Sequence, residues 1–158
     1  MNEGVEWAIH SCVNLCWVPG EPMTAKRLAA FYDLPTAYLN KQLQALARAG
    51  ILSSTSGPKG GFQLARRPDK ITLLDIVIAI DGPDDAFRCT AILKAGPGGD
   101  PREDYRKTCL VSGAMRRADL AYRRELAART IADLVADVER TSPRTPENTR
   151  TWFANLKS

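Results

Sequence analysis

The chain has 158 residues, a mass of 17.3 kDa and a formal net charge of +4, which indicates one domain or one domain with an appendage. Hydrophobic residues make up 44% of it, which excludes wholesale disorder. The longest apolar run, Ile76 to Ile80, is far shorter than the roughly 20 residues of a membrane-spanning helix. The sequence does not open with a basic segment followed by an apolar stretch, the pattern that indicates a secretory signal. We therefore expect a cytoplasmic protein without a membrane partner.

The positive charge is concentrated in one part of the sequence. Residues 24–70 contain eight Lys or Arg and two Asp, an excess of six that is larger than that of the whole chain. A basic stretch inside a nearly balanced sequence favours a surface for a polyanion.

The first predicted helix covers residues 3–18, where apolar side chains recur every three or four residues at Val5, Ile9, Cys12 and Cys16. We assign Cys12 and Cys16 to the core because they lie on this stripe. The four cysteines of the chain have no tight disulfide-scaffold spacing, and a cytoplasmic location favours free thiols or metal ligands.

Two further helices are predicted next. Thr24 is a good N-cap for a short helix through about Phe31, and Pro35 suits the first position of a third helix that ends near Ala49. The inward stripe of this third helix is formed by three leucines, Leu39, Leu43 and Leu46.

The periodicity then changes to that of a hairpin. Two strands are predicted at 51–55 and 62–65, and the glycines between them permit a tight turn. Thr72 caps a following helix that extends to about Ile80. The predicted fold is mainly α with a small β-hairpin wing.

The C-terminal half is predicted to contain a loop, one long helix and a tail. Residues 96–104 are rich in Gly and Pro and are assigned to a loop. Residues 109–140 have few helix breakers and are assigned to a single dimerisation helix. The tail from Thr141 is polar with two prolines, which predicts a loose segment, although Trp152, Phe153 and Leu156 could dock. These boundaries divide the sequence into a first domain (1–82), a loop region (83–108), the dimerisation helix (109–140) and the C-terminal tail (141–158).

The order of the predicted elements, three short helices and then a glycine-tipped hairpin, is that of a winged helix-turn-helix. This fold binds double-stranded DNA. The third helix carries small, amide and cationic groups on the face away from its leucines, and basic residues follow in and beyond the hairpin. The alternative is an ordinary solvated face. The predicted DNA-binding residues are Thr36, Ala37, Tyr38, Lys41, Gln44, Arg48, Lys59 and Arg66, with Arg67 beside them.

Three segments resemble one known family. Residues 38–52 are similar to its recognition helix, residues 57–66 to its wing, and residues 71–82 to the helix that follows. The family is that of the IscR/NsrR-type (Rrf-two) winged-helix transcription regulators, and the resemblance covers about residues 1–140. It implies a dimeric repressor or activator that binds an operator, and many members sense redox state, nitric oxide or cluster supply through an iron–sulfur cluster.

The sequence departs from the usual family pattern of three closely spaced cysteines, because only Cys89 and Cys109 lie in the corresponding region. A two-iron cluster needs four protein ligands. The stretch from Val5 to His10 is most similar to the RsrR branch, in which a [2Fe–2S] cluster has two cysteines, a glutamate and a histidine. This resemblance implies Cys89 and Cys109 from one subunit with Glu6 and His10 from the other, and repression switched by redox state.

Several alternatives remain open from the residues. Glu6 and His10 would also suit an exposed i, i+4 pair on a helix. Cys89 and Cys109 could be buried thiols, could form a reversible disulfide in a cluster-free regulator, or could supply the nucleophile of an enzyme with His10 as base. Trp7 could shield a cluster from water or pack at a dimer interface.

Overall fold

The computed structural model describes residues 3–156. Nine α-helices and one antiparallel pair of strands form this part of the chain. Their bounds are α1 Glu3–Trp17, α2 Ala25–Phe31, α3 Thr36–Arg48, β1 Leu52–Thr55, β2 Gly61–Leu64, α4 Leu73–Asp81, α5 Ile92–Ala95, α6 Tyr105–Thr108, α7 Leu110–Ala128, α8 Ile131–Thr141 and α9 Thr145–Asn155.

The helix-turn-helix elements form as their sequence pattern predicts, with bounds that differ by about a residue. Thr24 is the N-cap of α2, and its hydroxyl accepts a hydrogen bond from Arg27 N at 3.2 Å. The leucine stripe of α3 is fully buried, so this helix presents its opposite face to solvent. Cys12 of α1 lies in the same core, and Cys16 packs against it half-buried.

The hairpin is confirmed, with Leu52 opposite Leu64 and Thr55 opposite Gly61. It is joined to the segment before α2 by two backbone hydrogen bonds between Met23 and Phe62, of 2.9 and 2.8 Å. Gly61 has a φ of +147°, and a Cβ placed there would lie 2.6 Å from the backbone of Met23. Only glycine permits this close approach, which fixes the wing against the core.

Helix α4 packs against α1 and α3. Thr72 and Asp75 form a reciprocal capping box at its N-terminus, and Ile76 is fully buried. The loop predicted at 96–104 is irregular, with the one-turn helices α5 and α6 on either side of it. Within residues 3–156, no helix combines the length and hydropathy needed to cross a membrane.

The single helix predicted for 109–140 is wrong, because the structure divides this segment into α7 and α8. Arg129 and Thr130 are extended, with φ of −110° and −109°. Thr130 forms a capping box with Asp133 that starts α8, and Ile131 N donates to Ile71 O at 2.9 Å. The hydrogen bond to Ile71 and the capping box at Thr130 together end α7. They also place α8 against residues 1–82.

The loose tail predicted from Thr141 is also wrong, since residues 145–155 form α9. Its Pro146, Thr149 and Phe153 are buried on one face. Phe153 is 2% exposed and stacks on Phe31 of α2 with ring centroids 5.2 Å apart. The predicted docking of the aromatic pair therefore extends to a whole helix.

Candidate functional site

The solvent face of α3 presents most of the predicted DNA-binding residues. Leu39, Leu43 and Leu46 anchor the helix with 0% exposure, so the side chains on its other face project away from the core. Gln44 lies half-buried at the edge of this face. The exposed predicted residues are Thr36, Ala37, Tyr38, Lys41 and Arg48.

The wing places one cation at its tip and turns another inward. Lys59 is exposed in the turn between β1 and β2. Arg66 instead donates from Nε to Gly50 O at 3.0 Å and from a terminal nitrogen to Ala49 O at 3.1 Å. Because these carbonyls follow the last turn of α3, Arg66 braces the C-terminal end of that helix in the protein without DNA.

Cys89 and Cys109 are brought to one cavity of about 280 Å³. Both cysteines are half-buried, and the cavity wall is otherwise mainly apolar, with Phe87, Leu93 and Val111 among its residues. The loop at 96–104 separates the two thiols in the sequence, and the fold brings the segments on either side of it together at this cavity. Two thiols in one apolar cavity can bind a soft metal centre or approach each other for oxidation.

The backbone around each thiol suits negative charge. Ala91 N donates to Cys89 Sγ at 3.4 Å, and Ala91 holds a left-handed φ of +56°, unusual for alanine. Cys109 is the N-cap residue of the 19-residue helix α7, where the helix dipole stabilises negative charge. Such amide–sulfur contacts tune iron–sulfur centres.

Glu6 and His10 lie one turn apart on α1, and both are exposed. The hydroxyl of Tyr32 lies 3.4 Å from His10 Nδ1 and also donates to Asn14 Oδ1 at 3.3 Å. Burial raises the pKa of Tyr32, and its hydrogen bond to Asn14 partly offsets this. No periodicity or motif pointed to Tyr32 or Asn14, because the contact joins two helices through side chains 18 residues apart.

Trp7, between Glu6 and His10 in sequence, packs against α3. Its ring centroid lies 5.1 Å from that of Tyr38 on α3, edge to face. Trp7 is half-buried and Tyr38 is 44% exposed. The helix that carries Glu6 and His10 therefore touches the helix that carries the predicted DNA contacts.

The four predicted ligands do not meet within one chain. Among residues 3–156, no three His, Cys, Asp or Glu side chains are grouped so that they could hold a metal ion. Two thiols, a carboxylate and an imidazole are all ligand types that iron accepts. The donor set thus fits an iron centre only if the two pairs come from different copies of the chain.

The exposed surface next to the cavity is apolar. Leu110 and Val111, which follow Cys109, are 88% and 64% exposed, and Ile92 of α5 is 77% exposed. Along α7, only Ser112 is buried. An apolar helix face left in solvent beside the two cysteines is typical of an interface with another molecule.

Comparison with known proteins identifies the family. The family model Rrf2, described as an iron-dependent transcriptional regulator, matches residues 1–137. Protein aau3 of Rhizobium meliloti is 33% identical over 121 residues, 76% of this chain and 75% of that protein. An HTH-type transcriptional regulator of Aquifex aeolicus is 32% identical over 76 residues, 48% of this chain and 53% of its own length. The chain thus spans about half of the latter relative.

A solved structure supports the same fold. The structure described as T. potens IscR superposes with a TM-score of 0.66 at 21% identity, over 90% of both chains. The family members are transcriptional regulators, which removes the enzyme alternative. With 137 of its residues matched by the family model, the chain belongs to the Rrf2 family of DNA-binding transcriptional regulators.

Proposed function

We propose that this regulator is a homodimer that represses transcription from a specific operator and senses redox state through a [2Fe–2S] cluster. The observation that carries the proposal is the pairing of Cys89 and Cys109 at one cavity beside an exposed apolar face. The missing ligands, Glu6 and His10, are exposed on α1. A dimer formed across this face would supply each cysteine pair with the other subunit's Glu6 and His10.

The DNA-binding part rests on α3 and the wing. The exposed Lys41 and Arg48 suit phosphates or base edges, and Gln44 suits the edge of an adenine. Lys59 at the wing tip suits the neighbouring backbone. Two recognition helices in a dimer would read a two-fold symmetric site.

The operator can be found by selection from a random duplex library, followed by binding titrations. Lys59→Ala is expected to weaken binding to all duplexes similarly and to lower the salt slope of the dimer by about two, one for the wing of each subunit. Gln44→Ala is expected to change the base preference at one position of each half-site. Lys94→Ala, an exposed lysine on α5, is the matched control. Failure of the selection to enrich any sequence would contradict specific binding.

When bound, the cluster would supply a one-electron change of charge at the subunit boundary. The chain's own contacts suggest how such a change reaches DNA. Glu6 and His10 flank Trp7 on α1, and Trp7 packs on Tyr38 of α3. A shift of α1 would therefore move the recognition helix and alter the spacing of the two helices on DNA. Equal operator affinity of oxidised and reduced protein at fixed salt would contradict this coupling.

Ligand sharing has a decisive test in mixed dimers. A subunit with Glu6→Ala and His10→Ala is co-expressed with one carrying Cys89→Ser and Cys109→Ser, with different purification tags. If ligands come from both subunits, the mixed dimer has one complete site and should hold about two irons. Either double variant alone should hold none. Cys16→Ser and Glu3→Gln, on α1 outside the proposed ligand set, are controls that should keep wild-type iron.

The second candidate is a cluster-free regulator switched by a Cys89–Cys109 disulfide. Its support is the same shared cavity, since both cysteines line it. Hydrogen peroxide would take two electrons and two protons from the thiols, forming one disulfide and two waters. A protein that stays colourless after anaerobic reconstitution and loses two thiols with peroxide would favour this candidate over the cluster.

A further inference from the structure

His10, the only histidine in the sequence, has its Nδ1 in contact with Tyr32. The Tyr32 hydroxyl lies 3.4 Å from His10 Nδ1, and the two ring centroids are 5.3 Å apart. Tyr32 is the C-cap residue that follows α2. The contact with Nδ1 leaves Nε2 as the nitrogen for an external ligand.

Hydrogen-bond accounting places the proton on the imidazole. A phenol has a single proton, and Tyr32 donates it to Asn14 Oδ1 at 3.3 Å. With that proton directed at Asn14, the phenol oxygen faces His10 as an acceptor, an arrangement that favours the imidazole proton on Nδ1. A neutral imidazole protonated at Nδ1 has its lone pair on Nε2, the form that binds metal there.

The phenol is held in place by three helices. Asn14 of α1 is 1% exposed and presents its Oδ1 to the Tyr32 hydroxyl, while its Nδ2 has no hydrogen-bond partner among residues 3–156. Phe31 packs edge to face on Tyr32 with centroids 4.7 Å apart. Phe31 in turn stacks on Phe153 of α9. Tyr32 itself is 37% exposed, and its ring is anchored through Phe31 to the aromatic cluster of α2 and α9.

We propose that Tyr32 is a positioning residue that holds His10 in the Nδ1–H tautomer, with Nε2 free to bind iron. The inference rests on the proposed function, because it assumes that His10 is a cluster ligand. It adds Asn14 as the residue whose Oδ1 accepts the hydrogen bond from the Tyr32 hydroxyl. This hydrogen bond determines which imidazole nitrogen of His10 carries the proton.

The tautomer is measurable without the cluster. Protein labelled with nitrogen-15 histidine gives signals from His10 alone, and NMR at a pH where the imidazole is neutral distinguishes Nδ1–H from Nε2–H. We expect Nδ1–H in the wild type and a shift toward Nε2–H in Tyr32→Phe, which keeps the ring and removes the hydroxyl. Asn14→Ala should free the Tyr32 hydroxyl to donate its hydrogen bond to His10 Nδ1, which favours the Nε2–H tautomer. A wild type in the Nε2–H form, or a tautomer ratio unaffected by Tyr32→Phe, would overturn the proposal.

The iron-loaded protein gives a second, separate readout. An imidazole whose Nδ1–H donates a hydrogen bond is a stronger ligand, so Tyr32→Phe should raise the midpoint potential of the cluster while the iron content stays unchanged. An unaltered potential would contradict the positioning role alone. A wild type that takes up no iron would overturn the proposed function, and with it the ligand role of His10, whatever the tautomer.

Discussion

Burial distinguishes the thiols of α1 from those at the cavity. Cys12 is fully buried, and this burial, together with the nearby Cys16, raises its pKa. Burial, with repulsion from Glu139, raises the pKa of Cys16 from 9.0 to about 11. Because both thiols stay protonated in the folded protein, neither is suited to sense oxidants or bind iron.

The Cys16 pKa predicts slow alkylation. At about pH 8 its thiolate fraction should be about 100-fold below that of an unperturbed thiol, and its reaction with iodoacetamide correspondingly slower. The rate should rise about tenfold per pH unit up to the pKa. Timed alkylation with peptide mass spectrometry measures this, and urea-unfolded protein is the control. Equal rates in folded and unfolded protein would contradict the raised pKa.

Arg66 is expected to stabilise the recognition helix as well as to lie near DNA. Its bonds to Gly50 O and Ala49 O predict that Arg66→Ala lowers the free energy of unfolding by about 1 to 2 kcal/mol. Arg67 is the matched control, because it pairs only locally with Asp69 and its side chain is 79% exposed. Arg67→Ala should cost less than about 0.5 kcal/mol. Urea denaturation compares the two, and equal losses would remove the bracing role of Arg66.

At the scale of elements, α9 is expected to carry a large share of the stability. Phe153 lies in the core between Phe31 and Trp152, so Phe153→Ala should lower the free energy of unfolding by about 3 to 5 kcal/mol. Thr151→Ala, at an exposed position of the same helix, tests helix propensity without the cavity and should change it by less than about 0.5 kcal/mol. Urea midpoints at equal slope give both values. If Phe153→Ala left the free energy of unfolding unchanged, the packing of α9 on the core would not contribute to stability.

The elements that sequence predicted correctly have local causes. The leucines of α3, the Thr24 cap and the glycines of the wing act within a few residues of themselves. The break between α7 and α8 was missed because its cause is partly distant, the pairing of Ile131 with Ile71. The helix α9 was missed because two prolines and several polar residues outweigh its few apolar positions in the sequence pattern. The helix is held by the tertiary packing of Phe153 in the core, which that pattern does not reveal.

The candidate site divides in the same way. The exposed face of α3 follows from its periodicity alone, whereas Cys89 and Cys109 were paired only through a family resemblance, since a loop rich in Gly and Pro separates them. The fold brings both to one cavity. Contacts such as that of Tyr32 with His10 depend on how helices cross. No pattern along one chain encodes such a crossing.

At the scale of the molecule, α7 has an unpartnered apolar face in the single chain. Leu110, Val111 and Met115 are 88%, 64% and 42% exposed, and Ala114 and Ala118 extend the same face at helical spacing. Small and apolar side chains together allow close packing of two helices. A second copy of the chain is the expected partner, because the proposed cluster needs ligands beyond the two cysteines, and no third His, Cys, Asp or Glu is grouped with them among residues 3–156.

The dimer prediction can be tested with one substitution made at two positions of α7. Ala118 lies on the apolar face, and Ala127, nine residues later, lies about two and a half turns away on the opposite side. Ala118→Glu places a carboxylate in the proposed interface, where an unpaired buried charge is costly. It should convert the dimer to monomer, lower the iron content and weaken operator binding.

Ala127→Glu has the same helix propensity and adds the same charge, so it should remain dimeric with wild-type iron. Sedimentation velocity, iron assays and binding titrations on both variants separate loss of the interface from a general effect of charge on α7. If Ala118→Glu stays dimeric, the two-fold axis does not pass along this face. The subunits would then have to meet through another surface, and the mixed-dimer experiment would show whether Glu6 and His10 still reach the partner's cysteines across it.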